Sequence, residues 1–391
     1  MNVTQISIGR FHHFHLARQM ERLNMLDSLW TGYIRYKLKD ELGIPTSKIN
    51  TFPWLHTPYM LSCRFGLDRL KWLDREWSWY TRETLDRYVA STLRHPTVVV
   101  ALSGSGLHAG STAQRIGGHY ICDRGSSHIR FQNAILNEEY TRWNLEFAGV
   151  DPRIIDKEEI EYEQAEVITV PSEFVKRSFI SMGVPEKKLV KIPYGVHLKR
   201  FRKVSDPVVD QFRVLWVGAV SVRKGFIDLL TAFRNVKHDR KELMVVGTVT
   251  SEIKGLLASQ DLAGVTFCGS VANEQLVHIY NSSHAFVLPS IEEGLAMVQG
   301  EALACGCPVI ATPNTGSEDI FSDGVEGFIV PIRSPGAIAD RLQQLADDKT
   351  LRAKMSEAAL ERVQNMKGWD VYGDAFATLL STFDLESSVN K

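Results

Sequence analysis

Pro289-Ser290-Ile291-Glu292-Glu293-Gly294-Leu295-Ala296-Met297-Val298-Gln299-Gly300-Glu301 runs directly into Ala302-Leu303-Ala304-Cys305-Gly306-Cys307-Pro308-Val309-Ile310. Just upstream, residues 285–288 form a short apolar run that stops at Pro-Ser, the mark of a buried strand ending. Residues 295–305 read as a helix, closed by Gly306 and by Pro308 shortly after. Glu293 then stands in the loop before the helix. Glu301 falls about six residues inside it, roughly 9 Å along the axis at 1.5 Å per residue. Between them lie the unpaired N–H groups of the first helical turn, which make an anion site. A ligand with hydroxyls at both ends and phosphates in the middle fits that spacing, and this is the layout of a nucleotide sugar.

Outward from this stretch, strands and helices alternate along the whole chain. In the first half, residues 3–8 read as a strand running into Gly9-Arg10, followed by a helix with Leu16, Met20 and Leu23 on one stripe. Further strands are expected at 29–34, 97–102, 120–122 and 167–170. The 97–102 run is unbroken in its apolar character, as a strand buried on both faces of a parallel sheet should be. In the second half strands are expected at 214–217, 243–246, 265–268, 285–288, 308–311 and 328–330, with helices such as 226–233 and 274–280 between them. Repeated βα units of this length imply an α/β protein of two doubly wound, Rossmann-like parallel sheets facing a cleft. Ligands are then expected beyond the carboxyl ends of the strands, where strand order reverses. The boundary falls near 194–201, giving domains 1–195 and 196–369.

Composition is compatible with this and excludes some partners. A chain of 391 residues with 44% hydrophobic content has material for two cores. The net charge of −1 argues against nucleic acid as a partner. Residues 1–100 hold 14 Lys/Arg against 9 Asp/Glu, so the first hundred carry +5 and the remainder −6. Cys63, Cys122, Cys268, Cys305 and Cys307 are few and mostly far apart, and read as small thiols in a reducing cytoplasm. Cys305-Gly-Cys307 lacks the Cys-x2-Cys zinc spacing. The first ten residues run into a strand pattern and not a secretory leader, and no apolar stretch approaches ~18 residues. A cytoplasmic protein is expected. Trp54, Trp72, Trp77 and Trp79 lie in a basic, aromatic segment at 52–94. It reads either as packed outer helices of the first domain or as a surface meeting sugar rings or the inner membrane face.

The quoted stretch resembles the Glu-x7-Glu motif of retaining glycosyltransferases of family 4, which have the GT-B fold. Val217-Gly218-Ala219-Val220-Ser221-Val222-Arg223-Lys224-Gly225 is similar to that family's diphosphate loop. Ile192-Pro193-Tyr194-Gly195-Val196, with Phe201, is similar to its hinge. Asn314-Thr315-Gly316-Ser317-Glu318-Asp319-Ile320 and Gly324-Val325-Glu326-Gly327-Phe328 resemble the segment after the motif. The match runs from about 167 to 331 and fades before 160. By this resemblance the segment from 370 to 391 crosses back onto the first domain; without it, the segment reads equally as a helix capping its own domain.

The resemblance implies roles. Lys224 and Arg223 follow a strand and turn, and suit the charge of a departing diphosphate as point charge and bidentate fork. Many family members carry an arginine after the loop's first glycine, Gly218, where this chain has Ala219. Glu301 is carried over as the holder of ribose hydroxyls and Glu293 as a partner of the transferred sugar and diphosphate. The backbone of Gly294, Leu295 and Ala296 should approach the phosphates, and a side chain at 294 would block it. Gly269 and Val271 are expected beside the base. Front-face attack needs no dedicated base, and no metal or other cofactor is expected. On the acceptor side, the loop with Gly9, His12 and His13 should meet hydroxyls or phosphates, or simply cap a helix. His108 and His128 are the candidates for a functional first-domain histidine. His128 is the better placed of the two, with Asp123 and Arg124 as alternatives. The implied activity is transfer of a hexose from a UDP- or GDP-sugar to a hydroxyl of a glycan, lipid-linked glycan or small glycoside. The rival readings are a nucleotide-sugar epimerase and a catalytically silent partner subunit of the same fold.

Overall fold

The computed structural model describes residues 2–62, 70–196, 200–366 and 368–389, the last six of these by backbone alone. Cys63, Lys367, the 197–199 part of the linker and the 63–69 part of the aromatic segment lie outside the described residues.

Thirteen strands are found among the described residues. β1 (Val3–Ser7), β2 (Leu26–Thr31), β3 (Ile49–Thr51), β4 (Val98–Leu102), β5 (His119–Asp123), β6 (Val167–Val170) and β7 (Leu189–Lys191) form a seven-stranded sheet in the order β3-β2-β1-β4-β5-β6-β7. β8 (Phe212–Val217), β9 (Lys241–Val246), β10 (Val265–Gly269), β11 (Ala285–Leu288), β12 (Val309–Ala311) and β13 (Gly327–Ile329) form a six-stranded sheet in the order β10-β9-β8-β11-β12-β13. Every pairing in both sheets is parallel. The architecture is thus α/β, with two Rossmann-like domains.

The central strands are apolar because helices cover both their faces. Val98 to Ala101 and all of β11 are buried. The edge strand β10 is the exception, with Thr266, Phe267 and Cys268 exposed. Trp216, Phe226, Tyr280 and Phe286 fill the second core. The closing helix, Trp369–Val389, packs on the first domain: Tyr372, Phe376 and Leu380 join Phe14, Leu16 and Met20 in one cluster. Arg22 pairs with Asp374 across that contact, and the His15 and Trp369 rings stack at 3.8 Å.

Three local expectations need correction. The strand expected at 29–34 is Leu26–Thr31; the chain turns at Gly32, whose backbone abuts His56, so 32–34 leave the sheet. The short edge strands β3 and β7 carry too few residues to show a period. The helix expected from 295 begins at Val298. The Pro313–Thr315 turn explains this: the Asn314 carbonyl accepts from Glu293 N–H at 3.0 Å and the Thr315 carbonyl from Ala296 N–H at 3.1 Å. Those bonds hold 293–297 outside the helix, and they put Glu301 in its first turn, not six residues in.

Candidate active site

Strand order reverses between β1 and β4 in one sheet and between β8 and β11 in the other. The loops leaving β1, β8 and β11 are 8–12, 218–225 and 289–297, which carry most of the residues singled out by sequence. Contacts between the domains bring these loops together. Ser172 Oγ donates to the Gly294 carbonyl at 2.7 Å, and Ser127 Oγ to Glu292 at 2.7 Å.

On the second-domain side, Lys224 Nζ pairs with Glu293 Oε1, which also accepts from Ser290 Oγ at 3.2 Å. Both side chains are largely buried. Gly225, at φ +71°, begins the next helix; a Cβ there would lie 2.1 Å from the Pro289 carbonyl oxygen, so glycine lets the two loops touch. Glu301 accepts from Tyr280 Oη at 3.2 Å, and burial pushes its carboxyl up to about 7 against that bond. Gly218 opens the loop after β8, while Gly269 ends β10 and Val271 leads into the Asn273–Asn281 helix. Because the strands are parallel, all three lie at the same end of the sheet as Lys224.

Arg223 is placed differently from the expectation. Its Nε donates to the Glu292 carbonyl at 2.9 Å and its Nη2 pairs with the Glu292 carboxylate at 2.8 Å. Only Nη1 has neither a hydrogen bond nor an ion pair among the described residues. The glycine at 294 is also explained differently. A Cβ there would sit 1.7 Å from the Gly125 carbonyl oxygen of the first domain, so the close approach is between domains. Ala296 N–H is spent on Thr315, which leaves the N–H groups of Gly294 and Leu295 without partners among the described residues.

On the first-domain side, Asp123 ends β5 and gathers three neighbours. Thr169 Oγ1 donates to it at 2.6 Å, His12 Nε2 bonds to it, and His13 Nε2 lies 2.9 Å away, off hydrogen-bond alignment. Burial would raise the Asp123 carboxyl, but His12, by charge and hydrogen bond, with His13 close beside it, holds it well below the usual carboxylate range. Burial pushes His13 down. His12 stacks on the Tyr194 ring at 4.5 Å and lies beside Gly125, at the seam between domains. Gly9 lies under the half-exposed Phe11 ring. His12, His13 and Asp123 converge closely enough to hold a cation, yet His12 and Asp123 already face each other at hydrogen-bond separation.

Two first-domain assignments are corrected. His128 is the N-cap of the Ile129–Arg142 helix: Nδ1 accepts from Arg130 N–H at 3.2 Å and the ring packs on Tyr162 and Phe179. It is buried, and burial lowers it to about 4. Arg124 faces inward, donating to the Ser127 carbonyl, Ser103 Oγ, Glu158 and Gln132 at 2.7–3.1 Å. Arg124 is thus fully engaged, and His128 spends its Nδ1 on the helix. The alternative, His108, is turned to Glu83 at 2.8 Å. The glycine-rich loop before it is filled from within: Glu161 accepts from Gly104 and Gly106 N–H at 2.5 and 2.8 Å, and Asp86 from His108 and Ala109 N–H. That loop, at the reversal of the first sheet, is already filled by a carboxyl of the protein's own.

Sequence reasoning missed Glu292, which is fully buried between the domains. The available signal was the doubled acid: a motif that uses one carboxylate leaves the other to be explained. A cavity of about 1150 Å³ beside Phe212, His284 and Arg352 opens at the amino end of the second sheet, away from all these residues.

Residues 199–362 match the family model described as glycosyl transferases group 1. The capsular polysaccharide biosynthesis glycosyltransferase CapM of Staphylococcus aureus is 27% identical over 238 residues, 55% of this chain and 61% of that protein. The D-inositol 3-phosphate glycosyltransferase of Streptomyces avermitilis is 31% identical over 213 residues, 49% of this chain and 46% of that protein. The matches therefore span about half the length of these relatives. Among solved structures, sucrose-phosphate synthase from Thermosynechococcus elongatus superposes with a TM-score of 0.74 at 19% identity, covering 99% of this chain and 100% of that one. HepE of Anabaena, solved with UDP, gives 0.70 at 15% identity, covering 98% and 100%. These likenesses extend over both domains and identify the architecture as GT-B.

Proposed function

We propose that this chain is a retaining glycosyltransferase that moves a hexose from a UDP- or GDP-sugar to a hydroxyl of a glycan, lipid-linked glycan or small glycoside, without a metal ion. The observation that carries the reading is the Lys224–Glu293 pair at the carboxyl ends of β8 and β11, with Glu301 in the first turn of the helix that follows. Lys224 would neutralise the diphosphate as the bond to the anomeric carbon breaks, assisted by Nη1 of Arg223. Glu301 would hold the ribose hydroxyls, and Glu293, drawn off Lys224, would face the sugar. His12, steadied by Asp123 and stacked on Tyr194, would orient the acceptor. In this scheme the acceptor oxygen bonds to the anomeric carbon on the face the diphosphate leaves. Its proton passes to the departing phosphate oxygen, so no protein base is consumed.

Two resemblances support the substrates. HepE is a neighbour solved with UDP, and the Streptomyces relative is named for a phosphorylated cyclitol acceptor. Trp54 and Trp72, 75% and 68% exposed, give the first domain an aromatic surface where a membrane-borne acceptor could be met. Among the described residues no helix is long and apolar enough to cross a membrane.

The test is a thermal-shift panel of UDP, GDP, ADP and their sugar conjugates, with and without magnesium, followed by NMR of the product anomer. A ligand at a hundred times its Kd adds about 2.7 kcal/mol of stability. A selective, magnesium-independent shift with a retained anomer is the expected result. No shift with any nucleotide would point instead to a silent partner subunit.

A further inference from the structure

Glu292 and Glu293 are neighbours with separate duties. Glu293 faces Lys224, whereas Glu292 is fully buried and reaches across to the first domain. Its Oε1 accepts from Ser127 N–H at 3.1 Å and Ser127 Oγ at 2.7 Å, and its Oε2 from Gln132 Nε2 at 2.9 Å. Arg223, on the diphosphate loop, supplies the fourth contact. A carboxylate taken out of water is tolerable only while such partners surround it. Three of these four contacts come from the first domain, so they exist only with the domains together.

We propose that Glu292 is a positioning residue, a latch that makes closing of the domains and alignment of the donor loop one event. The proposal rests on the nucleotide-sugar reading above. Opening the cleft strips Ser127 and Gln132 from Glu292 and leaves it to Arg223 alone, which turns that guanidinium from the ligand. Closing it shares the charge among four donors and steadies Arg223 with Nη1 toward the phosphates. The adjacent Glu293 is carried on the same short loop. Whatever nucleotide binding contributes to closure, closure contributes equally to nucleotide binding.

The experiment compares the full chain with Glu292→Gln, whose amide brings N–H groups against the Ser127 or Arg223 donors, and with the milder Ser127→Ala. Small-angle scattering is recorded with and without UDP and GDP, with nucleotide Kd by calorimetry and steady-state kinetics in the donor. The expected result is a larger radius of gyration without nucleotide. Nucleotide Kd and donor KM should rise about tenfold, with kcat within about threefold; a merely structural lesion would instead lower the active fraction and hence kcat alone. Unchanged scattering and unchanged Kd in a cooperatively melting Glu292→Gln would overturn the proposal. If that variant does not fold, the same readouts in Ser127→Ala decide it. If the parent protein binds neither nucleotide, the function reading fails by itself. The scattering comparison then still decides the latch: an expanded variant supports it and an unchanged one overturns it.

Discussion

Lys224 and Glu293 neutralise each other, so a diphosphate must draw the lysine away from a carboxylate before using its charge. Removing the lysine removes the compensation for the leaving group. Lys224→Ala should lower transfer by at least about 100-fold and weaken UDP or GDP binding, read by kinetics and calorimetry; full activity would displace the site from this loop. His128 tests the opposite case. As a helix cap with a neutral, packed ring, it should cost about 1 kcal/mol on substitution by alanine. Denaturant melts should show that loss while kcat stays near the parent value. A collapse of kcat with an unchanged melt would restore His128 to the chemistry. These residues also show what a sequence reveals. Lys224 and Glu293 could be assigned to loops that follow strands, and Glu301 to the helix after them, because strand and helix positions are local information. His128 and Arg124 were misread because the sequence does not say which way a side chain turns: the His128 ring packs on Tyr162 and Phe179, and Arg124 turns inward to Glu158.

At the scale of elements, the alternation of buried strands and helices was readable because burial on both faces leaves unbroken apolar runs such as Val98 to Ala101. The start of the helix at Val298 was not, since it depends on a turn some fifteen residues later that captures two N–H groups ahead of it, those of Glu293 and Ala296. The Ser103–Gly106 loop belongs with it. The sequence marks it as the turn that ends a strand but not what fills it, and Glu161, from the Pro152–Gln164 helix, occupies it. Burial pushes the Glu161 carboxyl from an ordinary 4.5 up to about 8. Between those values the folded protein keeps a proton that the unfolded chain has released. Its contribution to stability is therefore full below about 4.5 and is lost as pH rises through 8. Glu161→Gln should flatten this part of the pH dependence, seen as a smaller difference between denaturant melts at acid and alkaline pH. An unaltered difference would mean that Glu161 titrates normally.

At the scale of the molecule, the Ile129–Arg142 helix belongs to the first domain by sequence but is tied to the second at both ends. Gln132 reaches Glu292, Glu139 accepts from Arg333 Nε at 2.7 Å, and Arg142 pairs bidentately with Asp228 at 2.7 Å. Ile135 and Leu136 pack on Ile291 between these ties. Gly294 sits in the same seam. A methyl group there needs more than 1 Å of extra room from the Gly125 backbone. Gly294→Ala should prop the domains apart and lower transfer on the order of 100-fold, with an expanded scattering profile. Normal activity would mean that transfer does not need the close approach of Gly294 to Gly125.

The Trp369–Val389 helix has a consequence in time as well as in space. Its aromatic side chains complete a core whose other walls are strands and helices made near the start of synthesis. At 5–20 residues per second, roughly 190 further residues take about 10–40 s to emerge after the seventh strand. Throughout that interval Leu16, Met20 and their neighbours await the side chains that will cover them. Of the two domains, the one synthesised earlier is thus finished later, and a nascent chain of this design has good reason to depend on chaperones until this helix arrives.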